Sequence, residues 1–139
     1  MLQRWCADPR NATSFPPVVL NVTDGEFSDC GENDLTDISH SIRSLATEDG
    51  NVLLLNIHIS SGSGAPLIFP TEAEIELGGR NAEIMARCSS RMPASFEPLI
   101  GQYRGLGTEP PFIGMSYNAP ITEVLNIINI GSISVNNLD

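Results

Sequence analysis

The apolar positions of the chain fall into two kinds of pattern, continuous runs and helical stripes. Phe15 to Gly25 is a near-continuous apolar run, rich in Val, that stops abruptly at Thr23-Asp24-Gly25. Such a run, closed by a turn-forming Gly, predicts a strand buried on both faces, as in a parallel sheet. Val52 to Ile59 repeats the pattern, and Phe112 to Tyr117 reads as a third, shorter strand ending at Asn118-Ala119. Between the first two runs, Leu35, Ile38, Ile42, Leu45 and Ala46 recur at three- and four-residue spacing. That stripe predicts a helix over about 34–48, capped by Asn33 or Asp34 and broken at Asp49-Gly50-Asn51.

Strand, helix and strand in succession require a right-handed crossover and a parallel pair. Helical spacing returns over 81–92 through Ala82, Met85, Cys88 and Ser89, with Pro93 closing it, and again through Phe96, Leu99, Ile100 and Tyr103. A last helix is expected from Pro120 through Ile121, Val124, Leu125 and Ile128 to Gly131. The stretch 66–79 shows no regular period. The pattern predicts an α/β fold divided into a lead-in over 1–14, one domain over 15–131 and a tail over 132–139.

Composition narrows the function classes. An apolar fraction of 41% argues against wholesale disorder, and 139 residues suit one domain. Against 17 acidic residues stand 7 basic ones, for a net charge of -10, which repels phosphate backbones and anionic membranes. No nucleic acid and no membrane are therefore expected, whereas a metal cation or a basic partner suits the charge. Cys6, Cys30 and Cys88 are odd in number, far apart and without a CxxC pair, so they read as reduced thiols in a cytoplasmic protein. The sequons at Asn11 and Asn21 read as chance, the second lying in a strand with no room for a glycan. Neither an export leader nor a long apolar span is seen.

The best-placed polar group is Asp24, at the carboxyl end of the first strand, where open α/β sheets bind ligands. It reads either as a ligand for a hard cation such as Mg²⁺ or as a turn-forming Asp bonding its own backbone. A calcium loop counted from Asp24 fails, because its Gly and Glu places hold Asp29 and Leu35. His58 reads as a hydrogen-bonded core histidine and His40 as solvated. The loop Ser60-Ser61-Gly62-Ser63-Gly64 would share the edge with Asp24. No nucleophile elbow, phosphate-cradling loop or HExxH is present.

The segment Pro16-Pro17-Val18-Val19-Leu20-Asn21-Val22-Thr23-Asp24-Gly25-Glu26-Phe27-Ser28-Asp29 resembles the third metal-site segment of von Willebrand factor type A (VWA) domains, the bacterial intracellular kind in particular. Asp49 to Ser60 and Phe112 to Ala119 resemble the same domains, so the likeness covers about 14–130. It implies a Rossmann-like, parallel-sheet three-layer sandwich, here partial: the last three strands and their flanking helices. In that family a metal-ion-dependent adhesion site holds Mg²⁺ through an Asp-x-Ser-x-Ser loop, a separate Thr and the Asp of Thr-Asp-Gly. Only Asp24 matches, so the resemblance implies an incomplete Mg²⁺ site. It also implies a bare apolar strand edge, since the family's first strand lies beside the one ending at Asp24.

The expected function is a non-enzymatic protein-interaction module whose partner supplies the missing half or a ligand carboxylate, or which pairs with itself as a homo-oligomer. The alternatives are a truncated fragment of a longer VWA protein, without a function of its own, and a hydrolase using Asp24 with the Ser60-Ser61 loop.

Overall fold

The structure is a computed structural model and describes residues 1–24, 31–59, 64–105 and 107–120, together with 122, 123, 126 and 129. In chain order the elements are α1 (Leu2–Ala7), β1 (Val18–Thr23), α2 (Glu32–Arg43), a ribbon of β2 (Ala46–Thr47) and β3 (Gly50–Asn51), β4 (Leu53–Ile59), β5 (Leu67–Ile68), α3 (Glu72–Ile75), α4 (Gly79–Cys88), α5 (Glu97–Arg104) and β6 (Met115–Ala119). Four strands form one sheet in the order β1-β4-β6-β5, with β1, β4 and β6 parallel and β5 antiparallel to β6. The fold is thus mixed α/β, with a mostly parallel sheet flanked by helices. The antiparallel β5 departs from the all-parallel expectation, because two residues are too few to leave a periodic trace.

The core lies on both faces of β4. Leu53, Leu55 and Ile57 turn to one face and pack with Phe69, Met92, Phe96, Ile100 and Phe112, which brings α5 over that side. On the other face Leu54 and Asn56 share a groove with Leu35, Ile38 and Ile42 of α2. Farther along the sheet, Ile113 and Met115 pack with Leu67, Ile75, Ala82 and Met85 beneath α3 and α4. Glu32 in the first turn of α2 binds Arg80 and Arg87 of α4, at 2.6 and 2.7 Å, and ties the two helices together.

Several expected elements are displaced, each for a local reason. β1 is not buried on both faces: among the described residues it ends the sheet, and Leu20 and Val22 are 39% and 47% exposed. Its Val-rich composition records strand preference, whereas burial needs a neighbour on each side. Helix α2 starts after Gly31, without a side-chain cap from Asn33 or Asp34. It stops at Arg43, where the Asn51 amide donates to the Arg43 carbonyl at 2.8 Å and the ribbon takes over residues 46–51. Helix α4 ends at Cys88 rather than 92, because Ser90 donates its N–H to Leu54 and Met92 donates to Phe112. β6 begins at Met115, since Ile113 donates to Pro70 and Gly114 to Ser90. The last helix expected over 120–131 lies largely outside the described residues, as do the tail, the loop at 25–30 and Ser60–Ser63. Among the described residues no helix is long and apolar enough to cross a membrane.

Two contacts lock the half of the sheet away from β1. Arg104, at the end of α5, donates to the Ile68 and Phe69 carbonyls and to both oxygens of Glu74. Burial acts to raise the Glu74 carboxyl, but hydrogen bonds from Arg104 and Thr71 outweigh it and hold that carboxyl below the usual range. A depressed pKa in the folded state gives stability above the unfolded-state value, lost as pH falls through the folded one. Glu74→Gln is expected to be less stable than the native chain at neutral pH. The gap should close on acidification below the ordinary glutamate range, as read by urea midpoints along a pH series.

Gly114 is the second lock. A Cβ there would stand 2.9 Å from the Ser90 carbonyl oxygen, 3.0 Å from Met92 Sδ and 3.3 Å from Leu55 Cγ. The Ser90 oxygen cannot retreat, because it accepts the Gly114 N–H at 2.7 Å. Gly114→Ala should therefore cost about 1–3 kcal/mol through overpacking, measured by denaturant unfolding.

Candidate functional site at the edge of the sheet

Because β1, β4 and β6 run parallel, their carboxyl ends share one rim, and Asp24 sits exposed on it. Thr23 and His58 are register partners there. The β4–β6 ladder is irregular between Ile57 and Ile59, and Asn118 takes a positive φ of 60°. This turns the Asn118 N–H out of the ladder, and His58 Nδ1 accepts it at 3.2 Å. The imidazole also stacks on Tyr117, with ring centroids 4.9 Å apart. His58 is thus half-buried and hydrogen-bonded, holding a β-bulge at the rim. His40 lies exposed on α2, as its polar surroundings imply.

Among the described residues no group of three or more His, Cys, Asp or Glu side chains is placed to hold a metal. At the rim Asp24 offers one exposed carboxylate. Mg²⁺ requires several oriented oxygens to replace its water, and one carboxylate does not reach that requirement. Glu26, Asp29 and Ser60–Ser63 lie outside the described residues.

The second feature runs along the side of β1. Leu53 donates its N–H to the Pro17 carbonyl at 3.1 Å, and Val18 pairs in register with Leu53. In a parallel pair alternate residues of a strand bond to the neighbour. Residues 17, 19, 21 and 23 therefore direct their backbone groups to β4, while Val18, Leu20 and Val22 turn N–H and C=O outward. Apolar side chains frame this edge on both faces. A cavity of about 410 Å³ is lined by Met1, Leu2, Trp5 and the stretch Phe15–Val18. On the other face one of about 250 Å³ is lined by Val19, Asn21, Leu35, Ile38, Leu54 and Cys88, among others. Of the large exposed apolar side chains among the described residues, Met1, Trp5, Leu20, Val22 and Ile38 belong to β1 or these cavities, and Leu77 does not.

What holds so exposed a strand in register is a pair of asparagines that sequence reasoning passed over. Asn21 and Asn56 are register partners, and Asn21 Nδ2 donates to Asn56 Oδ1 at 3.0 Å. Buried Asn56 donates in turn to the Cys88 carbonyl at 3.1 Å and to Ser89 Oγ at 2.9 Å. Asn21 is itself exposed, so burial is not what occupies its sequon nitrogen; the bond to Asn56 is. A signal existed: Val18-Val19-Leu20-Asn21 and Leu53-Leu54-Leu55-Asn56 place one Asn at the same step of two apolar runs. Cys6 and Cys88 are free thiols.

No protein-family model, no curated protein and no solved structure matches the chain.

Asn56→Ala strips partners from Asn21, Ser89 and the Cys88 carbonyl at once. It should cost about 1–3 kcal/mol, and Asn21→Ala less, because water can reach that position. Urea unfolding of the two variants checks the order.

Proposed function

We propose that the chain is a non-enzymatic protein-interaction module that takes up a strand of another polypeptide along β1. In this reading β1, β4 and β6 are the last three parallel strands of a Rossmann-like, VWA-like sheet, which the incoming strand extends. The observation that carries it is the outward-turned backbone of Val18, Leu20 and Val22, framed by exposed apolar side chains. Natural edge strands are usually blunted by charge, proline or a bulge. Pro16 and Pro17 guard only the entrance of β1, and Val18 to Val22 carries no charge. Strand addition uses such an edge, with main-chain bonds supplying affinity and alternate side chains supplying specificity. Asp24, at the end of the same strand, then lies where a partner's carboxylate could add the oxygens that Mg²⁺ requires.

Leu20→Pro tests the reading. The Leu20 N–H points away from β4, so proline there removes an outward donor and leaves the ladder to β4 intact. Random peptides displayed against the native chain are expected to enrich extended, alternating apolar sequences. Their binding should fall at least tenfold with Leu20→Pro, whose fold is checked by circular dichroism. In the native complex the amides of Val18, Leu20 and Val22 should gain protection from hydrogen exchange. Peptides indifferent to Leu20→Pro would sink the proposal.

A further inference from the structure

The charge around β1 specifies what kind of strand docks there. The chain has no lysine, and six of its seven arginines are already engaged. Arg10 binds Asp8, Arg80 and Arg87 bind Glu32, Arg91 binds Glu72, and Arg104 binds Glu74. Arg43 donates to the Ser39, Arg87 and Ser89 carbonyls. Arg4 is the exception among the described residues; it belongs to α1, which with Met1 forms the other flank of the edge, beside Val18.

The carboxylates near the open edge are exposed, and none has an ion pair among the described residues. Asp24 stands at the exit of β1. Asp34 lies one turn before Ile38 on α2 and Asp37 beside it, and Ile38 shares a cavity with Val19 and Asn21. Glu48 and Asp49 form the turn of the ribbon, which is fastened at the entrance of β1: Glu48 donates its N–H to Ala12, and Thr47 Oγ1 donates to Ser14. An apolar, hydrogen-bonding edge is therefore bracketed at both ends and along one flank by uncompensated negative charge.

Resting on the strand-docking reading above, we infer that the occupant is a separate polypeptide whose docking strand alternates apolar residues and is flanked at both ends by Lys or Arg. A second copy of this chain would bring the same carboxylates against these, and like charges across an interface oppose association. Cationic ends would instead meet Asp24 at one end and Glu48 and Asp49 at the other. Each exposed charge contact is worth about 1.5- to 5-fold in affinity, so several together give about tenfold or more.

The test compares two peptides with one alternating apolar centre, flanked by lysines in one and by glutamates in the other. Trp5, the only tryptophan, lines the cavity beside Val18 and reports binding by its fluorescence. The lysine peptide is expected to bind about tenfold or more tightly at low salt, with an advantage that shrinks as salt rises. That advantage should fall in the Asp24→Asn, Asp34→Asn, Asp37→Asn variant, and binding should be lost in Leu20→Pro. Equal binding of both peptides, abolished by Leu20→Pro, overturns the charge inference and leaves strand docking standing. A lysine peptide that binds Leu20→Pro equally well is held by charge alone and also overturns it. If neither peptide binds and light scattering shows a dimer, the occupant is a second copy. If neither binds and the chain is monomeric, this inference and the docking reading fail together.

Discussion

A backbone amide placed in a sheet must find a partner, and in β1 only every other residue does so within the described structure. That constraint organises the molecule. Pro17, Val19, Asn21 and Thr23 direct their backbone groups to β4, and Val18, Leu20 and Val22 are left facing outward. Water can satisfy those groups, but it cannot cover the apolar side chains beside them. The same strand therefore pairs its hydrogen bonds on one side and leaves both polar and apolar valence open on the other.

The rest of the sheet makes this openness tolerable. β4 is paired on both sides, and its side chains are buried from Leu53 to Ile57. Asn56 converts that rigidity into register for β1 through Asn21, and anchors itself to the end of α4. A slip of one residue would break this link and turn Val19 and Leu20 to opposite faces. At the far side Arg104 and Gly114 fasten β5, β6 and α5. Order is thus concentrated away from β1, and the edge is presented by a rigid frame.

The rim where the parallel strands end has a different character. His58, Tyr117 and Asn118 meet at a bulge, where His58 Nδ1 accepts the Asn118 N–H and the imidazole stacks on Tyr117. Asp24 is exposed there, and no group of three or more His, Cys, Asp or Glu is placed to hold a metal among the described residues. Among the described residues the long side of β1 combines outward-turned hydrogen-bonding groups with exposed apolar surface, and carboxylates stand near both of its ends.

Much of the fold was legible along the chain. The runs at Val18–Thr23 and Leu53–Ile59, the stripe Leu35-Ile38-Ile42 and the spacing of Ala82, Met85 and Cys88 announce a strand, helix, strand and helix succession, because local periodicity records which positions face a core. Asp24 at a strand end was legible in the same way. Periodicity could not show that β1 ends the sheet among the described residues, that the helix stops at Arg43 and a ribbon begins at Ala46, or that Asn21 meets Asn56 across 35 positions. Those outcomes depend on which segments become neighbours, and neighbourhood is a property of the folded chain. The sequence determined the two long strands and the main helices; tertiary structure decided which strand has an open side among the described residues, because pairing is settled only when the other strands have found their places.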